Sequence, residues 1–229
     1  MTNLHDEFQQ RREQFLLPVA NRLEALLRDC LSDLPRIDRI NARAKAVDRF
    51  LAKAAKEEDG RSKYSDPLNQ IQDQIGARIV TYYTDDVEVV SSAVENYFRH
   101  IELRAIVPDS DYEFNYFGKH YILLLPKDVL PSDCTMPISF FELQIKTLFQ
   151  HAWGEANHDL GYKPGGTLTV LMRRKLAFAS AQSWGADFIF NDLHREAARL
   201  THNGRIHVDG HGPEELSPRP EELGTRGLT

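Results

Sequence analysis

The stretch that decides the fold is ISFFELQIKTLFQHAWGEANHDLGYK, residues 138–163. In its first half, apolar side chains alternate with polar ones: Phe141, Leu143 and Ile145 against Glu142, Gln144 and Lys146. Because strand side chains alternate between two faces, this pattern predicts a strand with one apolar and one polar face. Thr147 then stands at the position of a helix N-cap, and the next dozen residues predict a helix. A polar strand face running into a helix indicates a functional site.

One side of the predicted helix carries His151, Glu155, His158 and Tyr162, spaced by four, three and four residues. Residues at these spacings share a helix face. Zinc ligation is one interpretation, but the HExxH pattern is absent and no further nearby ligand completes a site. The spacing favours a face that packs on the sheet and orients the strand residues in front of it.

Length and composition point to one moderate-sized domain in a reducing compartment. Of the 229 residues, 41% are hydrophobic and 27% are charged, which is an ordinary soluble balance. No apolar run approaches the roughly 20 residues that span a bilayer, and no signal-peptide core is present. Cys30 and Cys134 lack metal-ligand spacing, so we expect a cytoplasmic protein without a membrane partner. The net charge of -6 disfavours broad nucleic-acid binding but allows a local basic patch.

Strand and helix patterns alternate along the chain. Helices are predicted at 4–32, 47–56, 85–99 and 169–200, the last in two pieces around Gly185, and strands after Pro35 (an edge strand) and at 74–83, 101–107, 116–125 and 138–146, with a flexible loop at 56–67. This order predicts an α/β (α+β) domain with a mixed sheet of about five strands flanked by helices.

The predicted organisation is a packing helix at 1–34, a core at 35–165, C-terminal helices of the same domain at 166–202 and a tail at 203–229. Eight of the 27 tail residues are Gly or Pro. Such a segment buries little surface, so we expect the tail to be disordered or ordered only by a partner.

Two carboxylates, Asp73 and Glu142, stand on or beside apolar strands, where an unpaired acid is costly. If these strands are neighbours, the pair would hold Mg²⁺, and one acid would accept a proton from an attacking hydroxyl. The alternative is a salt bridge to Arg78 or Lys146.

Since the chain has no GK[ST] phosphate loop and no GxSxG elbow, any bound phosphates must be held by side chains. The candidates are Arg43, Lys45, Lys53 and Arg78.

Four separated motifs occur in a distinctive order: Asp73-x-x-Gly76-x-Arg78-Ile79, Tyr116-x-x-x-His120, Phe141-Glu142-x-Gln144-Ile145-Lys146-Thr147 and Trp153…His158…Tyr162-Lys163. Over roughly residues 35–165 this set resembles the synthetase domain of the RelA/SpoT-type alarmone synthetases. The terminal helices resemble those of the small single-domain members, some of which are toxic. The resemblance implies a nucleotidyltransferase-like fold. It also implies Mg²⁺-dependent transfer of pyrophosphate from ATP to the 3′-hydroxyl of GDP or GTP, a GTP pyrophosphokinase reaction that gives (p)ppGpp.

The resemblance also implies residue roles. Asp73 matches the family's Mg²⁺-binding aspartate, and Glu142 matches the glutamate at the metal and the acceptor hydroxyl. The ATP-binding positions match Arg43, Lys45, Lys53 and Arg78. The acceptor-binding positions match Tyr116, which would stack on the acceptor base, and His120, Gln144 and Lys146. Positioning and charge stabilisation by such residues is what phosphoryl-type transfer needs.

This chain departs from the family pattern on the acceptor side. It has NYFGKH at 115–120 where the family usually has GYxSLH, and Tyr112 where a basic residue helps to hold the acceptor's 5′-phosphates. Lys146 replaces an arginine and keeps its charge without bidentate geometry, while Asn157 replaces a frequent glutamate. The departures leave the identity of the acceptor open.

Two other functions therefore stay open. Toxic relatives pyrophosphorylate the 3′ end of tRNA, and a basic run would then contact phosphates: Lys163, Arg173, Arg174 and Lys175. The ordinary interpretation of that run is a solvated helix face. A catalytically degenerate nucleotide-binding module is the third hypothesis. The resemblance further suggests a homo-oligomer, a tetramer in small family members. Whether the tail serves a partner such as an antitoxin stays open.

Overall fold

A computed structural model describes residues 3–105, 114, 116, 118–131, 139–161 and 168–202. Predictions about Tyr112, Cys134, Tyr162, Lys163 and the 203–229 tail concern residues outside this described part. The chain divides into two compact units, Met1–His194 and Arg195–Thr229. All of the sheet and all of the predicted site residues belong to the first unit.

Five strands form the main sheet, in the spatial order β1, β4, β7, β6, β5. They are β1 (Ile37–Ala44), β4 (Ile75–Thr81), β5 (His100–Ala105), β6 (Lys119–Leu124) and β7 (Phe140–Thr147). Strands β4 and β7 run parallel, whereas the other neighbouring pairs are antiparallel. The predicted mixed sheet of about five strands is confirmed, and β1 lies at its edge as predicted.

The helices are α1 (Leu4–Arg11), a π-helical turn (Arg12–Leu16), α2 (Leu17–Cys30), α3 (Val47–Ala54), α4 (Pro67–Gln70), α5 (Thr84–Tyr97), a 3₁₀ turn (Lys127–Val129), α6 (Leu148–Gly161) and α7 (Val170–His202). The predicted loop at 56–67 was wrong in part, because it contains a small antiparallel hairpin of β2 (Glu57–Glu58) and β3 (Arg61–Ser62). Asp59 and Gly60 form its turn with positive φ values of 53° and 73°, the backbone that a two-residue hairpin requires.

One face of the sheet is apolar and builds the core. Its buried side chains are Ile40, Ala77, Ile79, Tyr121, Leu123, Phe141, Leu143 and Ile145. Helix α2 packs on β1 and β4, and α5 packs on β4 and β7. Burying each large aliphatic or aromatic side chain contributes about 1.5–3 kcal/mol. Because strand side chains alternate between the two faces of the sheet, the polar side chains between these apolar residues must lie on the opposite face.

Helix α7 corrects the prediction of two helical pieces around Gly185, because the structure has one continuous helix from Val170 to His202. A glycine inside a helix costs only about 1 kcal/mol relative to alanine. Tertiary contacts hold the helix in place on both sides of that glycine. The Trp153 indole donates to the Leu176 carbonyl at 3.3 Å, and the backbone N–H of Asp85 donates to the Asn191 side chain at 3.0 Å.

Across the described residues, no helix combines the length and the apolar content that crossing a bilayer would need.

Candidate active site

The polar face of the sheet gathers side chains from four strands. In the strand register, Glu142 lies beside Gly76 of β4, and Gln144 lies beside Arg78. His120 of β6 pairs with Gln144. Since residues directly opposite one another on neighbouring strands point to the same face, Arg78, His120, Glu142 and Gln144 form one polar patch. The alternation predicted for β7 is confirmed.

Arg43 extends this patch to the edge of the sheet. It pairs with Gly76 across β1 and β4, so it stands in the same transverse row as Glu142. The side chain is exposed. An exposed guanidinium beside this polar patch can reach an anion bound over the face.

Asp73 lies two residues before β4 and forms ion pairs with two lysines. Its Oδ2 atom lies 2.7 Å from the Lys45 Nζ and 2.9 Å from the Lys53 Nζ. Lys45 directly follows β1, and Lys53 lies on α3. Burial alone would raise the pKa of Asp73, but the hydrogen bonds and charges of the two ammonium groups lower it below its ordinary value. The two predicted ATP-site lysines therefore meet the predicted magnesium ligand.

Glu142 lies on β7 within reach of two other predicted site residues. Its Oε1 atom is 3.1 Å from the His120 Nδ1 and accepts from the Gln144 Nε2 at 3.3 Å. Burial would raise the pKa of Glu142, but His120 and Gln144 lower it, and the nearby negative charge of Asp73 opposes that lowering. The two acids thus act on one another electrostatically. Neither pairs with Arg78 or Lys146, so the salt-bridge alternative raised from the sequence was wrong about the partners.

Arg78 is held instead by the polar face of α6. Its Nη1 atom donates to the Glu155 Oε1 at 2.5 Å and lies 3.2 Å from the His151 Nδ1. These contacts support the expectation that the helix face orients strand residues. Within the described residues, no group of three His, Cys, Asp or Glu side chains could share a metal ion.

Lys146 lies at the end of β7 and is only 6% exposed. Its pKa is lowered to about 8, mainly by burial and also by the charge of Arg78, while Glu155 and Glu142 act in the opposite direction. The close approach of Gly118 adds to this crowding. A Cβ atom at Gly118 would overlap the Ile145 carbonyl oxygen and the Lys146 side chain. The glycine in NYFGKH is therefore required by the backbone packing of β6 on β7.

Tyr116, the predicted base-stacking residue, is tied to α7. Its hydroxyl donates to the Asp187 Oδ2 at 2.6 Å. The same oxygen accepts from the Thr147 hydroxyl at 2.5 Å. Sequence reasoning missed Asp187, although a single acid in the apolar run GADFIF was a usable signal.

Thr147 caps α6 as predicted. Its Oγ1 accepts from the Gln150 backbone N–H at 3.0 Å, and its own N–H donates to the Gln150 side chain at 2.9 Å. This reciprocal pair is a capping box with glutamine. It fixes the turn at which the polar strand passes into the helix.

Buried polar atoms without a hydrogen-bond partner are concentrated here. Of the seven such side-chain atoms found among the described residues, four line the polar face and a fifth belongs to Asp187 behind Tyr116. The four are Asp73 Oδ1, Arg78 Nε, His120 Nε2 and Gln144 Oε1. Each unsatisfied buried group costs about 1–3 kcal/mol. A bound polar ligand would satisfy them, so the clustering makes this face the candidate binding site.

The acidic pair fits a divalent cation. Asp73 and Glu142 are oxygen donors within electrostatic range, and Asp73 Oδ1 is an unsatisfied acceptor. Mg²⁺ is commonly bound by one or two carboxylates together with substrate phosphates and water. The two residues would hold it from the polar face of the sheet.

Comparison with known proteins agrees with this fold. The family model described as a region found in RelA / SpoT proteins matches residues 42–167, more than half of the chain. The chain therefore belongs to the RelA/SpoT family. All of the predicted site residues lie inside the matched segment.

Several known proteins are similar over most of the chain. GTP pyrophosphokinase YjbM of Bacillus subtilis (strain 168) is 26% identical over 198 residues, covering 80% of this chain and 89% of that protein. The structure of small alarmone synthetase 1 from B. subtilis bound to its product pppGpp has a TM-score of 0.66 at 21% identity, covering 84% and 97% of the two chains. The smu.1046c protein of Streptococcus mutans UA159 gives 0.64 at 22%, covering 85% and 98%. These structural likenesses confirm the fold.

Proposed function

We propose that this protein is a pyrophosphokinase that transfers the β,γ-pyrophosphate of ATP to the 3′-hydroxyl of GDP or GTP. The observation that carries the proposal is the unsatisfied polar face, where Asp73, with its two lysines, and Glu142 lie within electrostatic range of one another. The relative from B. subtilis named GTP pyrophosphokinase supports the reaction class. A related structure bound to AMPCPP supports ATP as the donor.

In this reaction the cationic side chains and Glu142 have separate roles. The acceptor 3′-oxygen attacks the β-phosphorus of ATP, the bond between that phosphorus and the α-phosphate's bridging oxygen breaks, and AMP leaves. Glu142 is ionised at neutral pH because its pKa is lowered, so it can accept the hydroxyl proton. Arg43, Arg78 and the lysine pair hold the phosphates and offset the charge that develops on them.

Mg²⁺ bound at Asp73 and Glu142 would neutralise phosphate charge and polarise the transferred group. The ammonium groups of Lys45 and Lys53 offset the charge of Asp73. When ATP binds, its phosphates present alternative anions to the same lysines.

A labelling experiment tests the proposal directly. The protein is incubated with Mg²⁺ and γ-³²P-labelled ATP, separately with GDP, GTP, AMP and bulk deacylated tRNA, and the labelled product is identified by chromatography or gel. Label in a guanosine product supports the proposal. A folded protein that labels none of the acceptors overturns it.

A tRNA acceptor is the second candidate function, and the exposed basic run at the start of α7 favours it. Arg173, Arg174 and Lys175 are all exposed, as phosphate-contacting residues must be. Label at the 3′ end of tRNA, with none in GDP or GTP, would decide for this acceptor. Substituting the three residues together by alanine should then lower tRNA labelling and reduce its salt dependence.

A degenerate sensor is the remaining hypothesis, and the acidic pair argues against it. A module that only binds nucleotide has no need of two acids held ionised within electrostatic range of each other. Nucleotide binding with no label transfer to any acceptor would support the sensor.

A further inference from the structure

Asp187 is a buried acid that the proposed chemistry does not yet use. It lies on α7, is 1% exposed, and comes from a part of the chain beyond the segment matched by the family model. Burial raises the pKa of Asp187, and the hydrogen bonds from Thr147 and Tyr116 act in the opposite direction. Burying a carboxyl group is expensive, so its retention needs an explanation in the contacts that it makes.

Two hydroxyl donors converge on one oxygen of Asp187. The Tyr116 hydroxyl donates at 2.6 Å and the Thr147 hydroxyl at 2.5 Å, both to Oδ2. Tyr116 stays protonated, since burial and the neighbouring Asp187 raise its pKa, so it remains a donor. Short hydrogen bonds to a carboxylate are stronger than neutral ones.

These contacts link two parts of the candidate site. Thr147 ends β7, five residues after Glu142, and caps α6. Tyr116 lies two residues before Gly118, which packs tightly against the Ile145 carbonyl of β7. Asp187 therefore joins the predicted acceptor-stacking ring to the strand that carries the predicted proton acceptor.

We infer that Asp187 is a positioning residue for the acceptor: through the Tyr116 hydroxyl it fixes the ring on which the acceptor base stacks, in register with β7. This inference rests on the proposed function. A side chain held at a defined angle binds a base without first losing its own rotamer freedom, so the constraint lowers the cost of acceptor binding. In the proposed function ATP is held around Asp73 and its two lysines, so ATP binding should be unaffected.

Anchoring of α7 alone does not account for Asp187. The helix is already tied by the Trp153 indole and by Asn191. Furthermore, Asp187 Oδ1 is buried without a hydrogen-bond partner among the described residues, a cost that a purely structural contact would not favour. The hydrogen bonds of Asp187 are concentrated on Oδ2, which accepts from both Tyr116 and Thr147.

The test uses Asp187→Ala, Asp187→Asn, Tyr116→Phe and the double variant Asp187→Ala/Tyr116→Phe in the full chain. Ser180→Ala is the matched control, because Ser180 is fully buried two turns earlier on α7 and its hydroxyl has no hydrogen-bond partner among the described residues. Steady-state KM is measured separately for ATP and for the acceptor identified by labelling. Thermal unfolding is followed for every variant.

We expect Asp187→Ala to raise the acceptor KM by about 10- to 100-fold, the range of a charge-assisted hydrogen bond, and to leave the ATP KM within about twofold. Asp187→Asn keeps a neutral oxygen that can accept the Tyr116 hydrogen bond, so its acceptor KM should rise less. The double variant should bind acceptor no worse than Asp187→Ala, since both changes remove the same contact. An unchanged acceptor KM in folded Asp187→Ala, or equal losses for both substrates, would overturn the inference.

Binding experiments separate this inference from the proposed function. If the wild-type protein labels no acceptor, the proposed function fails, and calorimetry with GDP, deacylated tRNA and AMPCPP decides the inference instead. Weaker GDP or tRNA binding by Asp187→Ala, with AMPCPP binding retained, would support it. Equal binding of all three probes by the wild type and the variant would refute it.

Discussion

Replacing Glu142 by glutamine tests the central chemical assignment. Glutamine has nearly the same shape, and its carbonyl oxygen can still accept from His120, which lies 3.1 Å from Oε1, and from Gln144 at 3.3 Å. It cannot take up a proton or bring a negative charge to a metal. The substitution therefore removes the chemistry while it preserves the packing.

The expected loss follows from that difference. General-base catalysis contributes about 10²- to 10⁴-fold to a rate, which corresponds to about 3–5 kcal/mol of transition-state stabilisation. We expect kcat for pyrophosphate transfer to fall by at least this factor. The free energy of unfolding should change by only about 1 kcal/mol, or about 2–4 °C in Tm.

The assay is label transfer from γ-³²P-ATP to the preferred acceptor at saturating Mg²⁺, with Tm measured in parallel. Glu88→Gln is the control. Glu88 pairs with Lys119, whose side chain points to the other face of the sheet, and exposed pairs of this kind contribute about 0–1 kcal/mol. A folded Glu142→Gln protein that keeps more than a tenth of the wild-type kcat would refute the role of Glu142 as proton acceptor.

Other predictions concern glycine packing and pH. Gly118→Ala should destabilise the protein by about 1–3 kcal/mol through overpacking, whereas Gly185→Ala, with open space around its Cβ position, should stabilise it by about 0.5–1 kcal/mol; denaturant unfolding compares the two, and a similar change in both would contradict the packing argument. Lys146 has its pKa lowered to about 8, so between pH 8 and about 10.4 the unfolded chain binds more protons at this residue than the folded one. Relative to Lys146→Met, the wild type should gain stability as pH rises through that window. If the free energies of unfolding of the two proteins changed with pH in parallel, the pKa of Lys146 would not be lowered in the folded state. The pKa of Asp73 is lowered in the folded state, so its contribution is present above about pH 3.9 and is lost as pH falls through the folded value. Acid titration of the free energy of unfolding should therefore be flatter for Asp73→Asn, and an equally steep titration would mean that the two lysines do not stabilise the carboxylate.

Local patterns predicted the elements that carry the site. The alternation in β7 and the threonine cap of α6 are properties of a few consecutive residues, so they could be read directly. The same holds for β1 as an edge strand and for the polar face of α6 that contacts Arg78. Gly185 misled the helix prediction because its small propensity cost is outweighed by contacts that α7 makes elsewhere.

Contacts between distant segments were beyond such patterns. The partners of Asp73 come from two other segments, after β1 and on α3, and the partners named in the salt-bridge alternative were wrong. Asp187 lies 71 residues from Tyr116, with no periodicity to connect them. Motif order supplied the candidate residues, but it did not show how their charges are balanced.

The sequence by itself determined which residues face which way, because side-chain direction follows the period of each strand and helix. It also determined the family, through four motifs in order. Only the tertiary structure decided that two lysines form ion pairs with Asp73, that Glu142 is ionised beside His120, and that Tyr116 is hydrogen-bonded to Asp187 on α7. Those facts depend on strand order, register and burial, and the free energies of charges and hydrogen bonds are set by neighbours that the chain brings together only when it folds.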